Sequence, residues 1–220
     1  MCGFAGVIEH GPIPQPALRD AVSRMTATLV HRGPDDQGLW LDPTAGVALG
    51  HRRLSILDLS PQGHQPMVSH CGRFVLAFNG EIYNHQALRR QLGSDVPWRG
   101  HSDTEVLLAW ISRHGVAATL PELNGMFAFA LWDRVERELT LARDRLGEKP
   151  LYYGCNGDRF LFGSELKALS AHPRWHGELD RDALTAYLRL CYIPAPHSIY
   201  RGIHKLEPGT YATLRPNQQT

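Results

Sequence analysis

Met1-Cys2-Gly3-Phe4-Ala5-Gly6-Val7-Ile8 opens the chain. Its apolar and small residues read as a buried β-strand that stops at Glu9-His10. If the initiator methionine is removed, Cys2 becomes the amino terminus and carries both a thiol and a free α-amine. A free cysteine is a weak nucleophile until deprotonated, with an ordinary pKa of about 8.5. An α-amine titrates at roughly 7.7 to 8.0, so it accepts a proton near neutral pH. One residue can therefore supply a nucleophile and its general base. The small side chain after Met1 suits aminopeptidase removal. The plain alternative is an ordinary cysteine that happens to stand second.

The 220 residues carry 23 Lys and Arg against 22 Asp and Glu, a formal charge of +1. That balance argues against a nucleic-acid partner and against an acidic solvating tail. The longest apolar runs, 74–78 and 126–132, are far too short to cross a bilayer. The amino terminus lacks the cationic flank of a secretory signal, so no membrane association and a cytoplasmic location are expected. The other cysteines, Cys71, Cys155 and Cys191, form no Cys-x-x-Cys pair. They read as small buried or half-buried residues rather than as a disulfide or zinc framework. The twelve histidines are scattered and read as surface or hydrogen-bonded structural residues, with no metal site expected.

The chain then reads as a helix over 16–30, a polar Gly/Pro-punctuated loop over 31–38, and short strands over 39–41 and 47–56. A loop over 58–66 leads to strands over 73–78 and 81–83, separated by Asn79-Gly80. Helices are expected over 85–92 and 103–114. Strands follow over 126–132, 139–143, 151–155 and 159–163, with hairpin turns at 133–138 and 156–158. Helices over 165–171 and 181–190, a stiff Pro194-Ala195-Pro196 connection and a last strand over 211–214 close the pattern. Strands and helices are grouped rather than alternating, which favours antiparallel sheets covered by helices, an α+β fold. Residues 1–214 read as one domain and 215–220 as a polar tail.

Four positions besides Cys2 have chemistry to offer. Asn79 and Gly80 can supply a side-chain NH2 and a backbone N–H to an oxyanion, or can be a plain Asn-Gly hairpin turn. Arg53, at a strand end, can hold a carboxylate through both guanidinium nitrogens, or sit in a surface ion pair. Asp103 can accept an ammonium group, or act as an N-cap or first-turn acid.

Several stretches occur together, in order. They are Cys2-Gly3-Phe4-Ala5-Gly6, Arg32-Gly33-Pro34-Asp35, His51-Arg52-Arg53-Leu54-Ser55-Ile56, Asn79-Gly80-Glu81-Ile82-Tyr83-Asn84 and Ser102-Asp103-Thr104-Glu105. Ala142-Arg143-Asp144-Arg145-Leu146-Gly147-Glu148-Lys149-Pro150, Gly163-Ser164-Glu165-Leu166-Lys167 and Tyr192-Ile193-Pro194-Ala195-Pro196 follow. Over nearly its whole length the chain resembles the amino-terminal glutaminase domain of class II glutamine amidotransferases. The resemblance is strongest to glutamine-hydrolysing asparagine synthetases, because Asp35 follows Arg-Gly-Pro.

The resemblance implies an amino-terminal-nucleophile hydrolase fold, a four-layer αββα sandwich of two antiparallel sheets between helices. It implies L-glutamine as substrate and Cys2 as nucleophile with its own amine as base. Asn79 and Gly80 would form the oxyanion hole, and Arg53 would bind the α-carboxylate. Glu81 and Asp103 would hold the α-ammonium, and 32–35 would lie in a loop near the pocket. No cofactor is implied in this domain. ATP and magnesium would belong to a carboxy-terminal synthetase domain, whose Ser-Gly-Gly-x-Asp-Ser signature this sequence lacks. Segments 143–149 and 192–201 would face that domain, and a homodimer of the full-length protein is compatible with the resemblance. Two further readings stand beside asparagine formation. One is the same glutaminase chemistry feeding another acceptor, such as a sugar acid or natural-product carboxylate. The other is a domain silent without its partner.

Overall fold

A computed structural model of the chain describes residues 1–11 and 13–215. Pro12, and residues 216–220 of the expected tail, lie outside the described residues. The elements run β1 (Gly3–Glu9), α1 (Gln15–Ala27), β2 (Asp36–Asp42), β3 (Val47–Arg53), β4 (Met67–Val68), β5 (Phe74–Ile82), α2 (His85–Leu92), α3 (Asp103–His114) and α4 (Val116–Thr119). They continue β6 (Gly125–Asp133), β7 (Glu138–Arg143), β8 (Tyr152–Asn156), β9 (Arg159–Gly163), α5 (Leu166–Ser170), α6 (Arg181–Leu190), β10 (Ile203–Lys205) and β11 (Tyr211–Leu214).

Two sheets form, one of six strands in the order β10-β8-β9-β1-β3-β2 and one of five in the order β11-β7-β6-β5-β4. Every strand pairing in them is antiparallel. Three apolar layers join them. Phe4, Ile8, Leu49, Val75, Ala77, Trp132 and Phe162 pack between the sheets. Leu88, Leu92, Val106, Leu107 and Ile111 of α2 and α3 cover the five-stranded sheet through Leu76, Phe78, Phe127 and Phe129. Leu18, Val22 and Met25 of α1 and Leu169 of α5 cover the six-stranded sheet through Ala5, Val7 and Ala48. This is the expected αββα sandwich. Each fully buried large apolar side chain in it contributes about 1.5–3 kcal/mol relative to exposure.

Local chemistry explains the helix that matters most to the site. Ser102 caps α3 by accepting from the Glu105 N–H at 3.2 Å, and Gly115 ends the helix at φ 78°. The Glu105 carboxylate turns back and accepts from the Arg99 and Gly100 N–H groups at 2.8 and 3.0 Å. Asp103 is thereby fixed as the first helical residue.

The structure corrects several sequence expectations. Asn79-Gly80 is not a turn. It lies inside β5, paired through Ala128 and Phe127 of β6. A nine-residue partner strand satisfies the backbone there and overrides the local turn preference. The first helix ends at Ala27 rather than at residue 30, and β3 ends at Arg53 rather than at residue 56. β4 and β10, of two and three residues, carry no periodicity long enough to read. Cys71, Cys155 and Cys191 are all exposed, not buried.

Strand alternation decides where the chemistry falls. Phe4 in β1, Leu49 in β3, Ala77 in β5 and Ala128 in β6 face the inter-sheet layer. In steps of two, back from Phe4 and Ala128 and forward from Leu49 and Ala77, the same face carries Cys2, Met126, His51 and then Arg53, and Asn79 and then Glu81. The polar residues thus collect where the apolar filling between the sheets runs out.

Candidate active site

One cleft is lined by all six residues singled out above, Cys2, Arg53, Asn79, Gly80, Glu81 and Asp103. Its empty space, open mouth included, is about 590 Å³. Met1, Leu54, Asp58, Gln65, Met126 and Lys149 complete much of its wall.

Cys2 enters the cleft from the start of β1. Its Sγ accepts from the Leu54 N–H at 3.4 Å and lies 3.6 Å from the Leu54 carbonyl oxygen. Burial pushes the Cys2 thiol up, while the Leu54 hydrogen bond, the terminal ammonium and Arg53 pull it down less strongly. A thiol in that setting needs a base to become a nucleophile. Arg32 Nε donates to the Cys2 carbonyl oxygen at 2.8 Å, so the expected loop at 32–35 does lie beside the cysteine. Gly33 is required in that loop. A Cβ there would meet the Arg52 carbonyl carbon at 2.3 Å.

Asn79 is 1 % exposed, and both its Oδ1 and its Nδ2 lack a hydrogen-bond partner among the described residues. A buried amide left so costs roughly 1–3 kcal/mol, so its orientation calls for a ligand. Gly80 supplies a second donor through strand geometry. Alternate N–H groups of a strand point to the same edge. On that edge the Phe78 N–H donates to Gln65 Oε1 at 2.7 Å and the Ile82 N–H to Asp103 Oδ2 at 2.8 Å. The Gly80 N–H lies between them. β4 reaches only Leu76 and Val75, which leaves this part of the edge open to the cleft. A Cβ on Gly80 would meet the Met126 carbonyl oxygen at 2.3 Å, so only glycine fits.

Two charge systems face these donors. Arg53 is 7 % exposed and donates from Nη1 to the Ser60 carbonyl at 2.9 Å and from Nη2 to the Asp58 carbonyl. Among the described residues it has no carboxylate within ion-pair distance, so the surface ion pair is not formed. Gly63 lies flat against the guanidinium, where a Cβ would come within 2.0 Å of Nη2. Asp103 is buried and has no cation within that distance, although its carboxylate accepts from Ile82 and Thr104 N–H groups. Burial pushes its carboxyl up. Burial pushes the Glu81 carboxyl up as well, with the Asp103 charge adding to the effect. Neither acid has a Lys or Arg side chain within ion-pair distance among the described residues, so both are free to hold a ligand's cation.

Gln65, Asp58, Met126 and Lys149 escaped the sequence reading. Met126 was readable from alternation in β6. Lys149 was visible only as part of the 142–150 stretch. Asp144 accepts from the Leu146, Glu148 and Lys149 N–H groups at 3.0, 3.0 and 3.1 Å, and that turn brings Lys149 into the cleft. Among the described residues, no group of three or more His, Cys, Asp or Glu side chains is placed to hold a metal, and no helix is long and apolar enough to cross a membrane.

The chain is 39 % identical over 219 residues to asparagine synthetase [glutamine-hydrolyzing] 1 of Bacillus subtilis, covering 99 % of this chain and 34 % of that protein. It is 34 % identical over 230 residues to amidase chry2 of Gibberella zeae, covering 100 % of this chain and 33 % of that protein. The chain thus spans about a third of the length of these relatives. In fold it is similar to glutamine phosphoribosylpyrophosphate amidotransferase from B. subtilis, with a TM-score of 0.63 at 22 % identity, covering 99 % of this chain and 50 % of that one. The model of the glutamine amidotransferase domain matches residues 1–220, and the chain belongs to that family.

Proposed function

We propose that this chain, once it begins at Cys2, hydrolyses the side-chain amide of L-glutamine to glutamate and ammonia. The observation that carries the reading is the unpartnered Asn79 amide beside the open Gly80 N–H, in one cleft with Cys2. Arg53 offers a buried cation for the α-carboxylate. Glu81 and Asp103 offer two anions for the α-ammonium. A ligand lacking either charged group would leave a buried charge unpaired.

The chemistry runs in two halves. The Cys2 α-amine takes the thiol proton, and Sγ attacks the amide carbon of glutamine. Asn79 and Gly80 stabilise the oxyanion. The protonated amine returns its proton to the leaving nitrogen, the C–N bond breaks, and ammonia departs from a γ-glutamyl thioester. Water, deprotonated by the same amine, then attacks the thioester carbonyl, and the C–S bond breaks to give glutamate and the free thiol. The test is ammonia release from glutamine by protein shown by mass spectrometry to lack Met1. Turnover supports the reading, and its absence in correctly processed protein overturns it.

The 39 % identity to an asparagine synthetase favours delivery of that ammonia to an ATP-dependent synthetase half that forms asparagine from aspartate. ATP and magnesium would be bound by that half and not by the residues of this chain. A second reading, delivery to another carboxylate acceptor, draws on the 34 % identity to amidase chry2.

A further inference from the structure

Arg53 and Asp103 reach the cleft from different layers of the fold. Arg53 ends β3 in the six-stranded sheet, and Asp103 begins α3, which covers the five-stranded sheet. Under the glutaminase reading they hold the two charged groups of one α-carbon, so their separation has to be fixed.

Asp58 bridges the two. It is 8 % exposed and lines the cleft. Its Oδ1 accepts from the Ser60 N–H at 2.8 Å, and its Oδ2 accepts from the His101 N–H at 3.0 Å. Its own carbonyl oxygen accepts from Arg53 Nη2, and the Ser60 carbonyl accepts from Arg53 Nη1 at 2.9 Å. One carboxylate oxygen therefore holds the turn that cages the Arg53 guanidinium. The other holds the segment just ahead of the Ser102 cap, and so the start of α3. Gly100 lets that segment come close, because a Cβ there would lie 2.6 Å from Oδ2. The His101 N–H, followed by Ser60, holds the Asp58 carboxyl down to about 2, so it stays ionised at neutral pH.

Charge alone gives no reason for an acid here. Among the described residues Asp58 has no Lys or Arg side chain within ion-pair distance, and a second anion near Arg53 opposes the binding of a ligand carboxylate. The two N–H groups need two acceptors, whereas an asparagine would supply one oxygen. An amide in this place would release either the Ser60 turn or the His101 segment, and would also remove the opposing charge. Loss of position weakens the hold on a ligand carboxylate, and loss of the charge strengthens it.

We propose that Asp58 is a positioning residue, a carboxylate tie that fixes Arg53 relative to Asp103 and so tunes the cleft to the head group of an α-amino acid. The inference deepens the glutaminase reading and takes its ligand from it, but it can be read without turnover. The test follows alkylation of Cys2 by iodoacetamide through peptide mass spectrometry, on protein confirmed to lack Met1, with L-glutamate as protectant. Glutamate carries the same α-carboxylate and α-ammonium as glutamine and is not consumed. In Asp58→Asn its half-protecting concentration should rise about tenfold, the scale of one hydrogen bond to a charged group. Alkylation without glutamate should keep its wild-type rate, and KM for glutamine should rise by the same factor with kcat little changed. Gly100→Ala crowds Oδ2 without altering any charge and should shift protection in the same direction. It decides the matter if Asp58→Asn does not fold. Equal or tighter protection in Asp58→Asn would overturn the proposal, and so would an unprotected rate that changes as much as the protection does. Wild-type protein that glutamate fails to protect would overturn it together with the amino-acid site. The predicted shift in a protein that releases no ammonia would sustain the role of Asp58 while removing the glutaminase reading.

Discussion

Arg32 Nε donates to the Cys2 carbonyl oxygen at 2.8 Å, while Nη1 of the same guanidinium reaches Glu165 Oε1 at 2.8 Å. The loop after α1 thus holds the cysteine by its backbone, and α5 braces the loop. Arg32→Leu should let Cys2 drift from the Leu54 amide. A displacement of about 1 Å at a reacting atom can cost ~10² in rate, so kcat for glutamine should fall by up to that factor with KM little changed. Steady-state kinetics on folded, Met1-free variant checks it. A raised KM at constant kcat would show instead that Arg32 serves binding.

Asn79→Ala should lower kcat by about 10²–10³, the usual consequence of losing one oxyanion donor, while glutamine still binds. Stability should move the other way or not at all, because the substitution deletes two buried polar atoms that have no partner in the fold. Thermal melting and kinetics on the same preparation separate the two effects.

Asp103 makes the opposite exchange visible. Its carboxyl is held above the ordinary value by burial, so the native fold binds that proton more tightly than the unfolded chain does. Stability from this group is therefore lost as pH rises from the ordinary aspartate value through the raised one. Asp103→Asn keeps a carbonyl oxygen for the Ile82 N–H and removes the charge. The variant should melt higher than wild type at pH 7, yet lose about 10²–10³ in kcat/KM for glutamine through the missing ammonium contact. A variant less stable than wild type at pH 7 would contradict this.

His51 predicts an acid limit to stability that has nothing to do with catalysis. It is fully buried between the sheets, its Nε2 donates to the Phe78 carbonyl at 2.9 Å, and burial lowers its pKa from 6.5 to about 4. The native state keeps it neutral while the unfolded chain protonates near 6.5. Stability should thus fall as pH drops from 6.5 towards 4, by roughly 3 kcal/mol in all from this residue. Denaturant unfolding at pH 7 and pH 4.5 should show a smaller acid loss in His51→Gln than in wild type.

Much of the site was legible because the fold places polar residues by strand alternation. Val75 and Ala77 point into the inter-sheet layer, so Asn79 and Glu81 had to follow them, and Leu49 sets Arg53 in the same way. The Asn-Gly pair misled because turn preference is local, whereas β6 pairs with β5 from Phe74 to Ile82. Lys149 was hidden because nothing near it in sequence shows that the Asp144 turn folds it back over Met1. The exposure of Cys71, Cys155 and Cys191 was equally unreadable, since a small apolar side chain fits both a surface turn and a core.

Covalent capture of Cys2 tests the nucleophile most directly. Met1-free protein should be labelled stoichiometrically by a diazo-ketone glutamine analogue. Peptide mapping should place the label on Cys2, glutamine should protect against it, and Cys2→Ala should abolish it. Protein that retains Met1 should resist labelling while melting like the processed form. Labelling at Cys71, Cys155 or Cys191 instead, or equal labelling with Met1 in place, would contradict an amino-terminal Cys2 as the group that attacks glutamine.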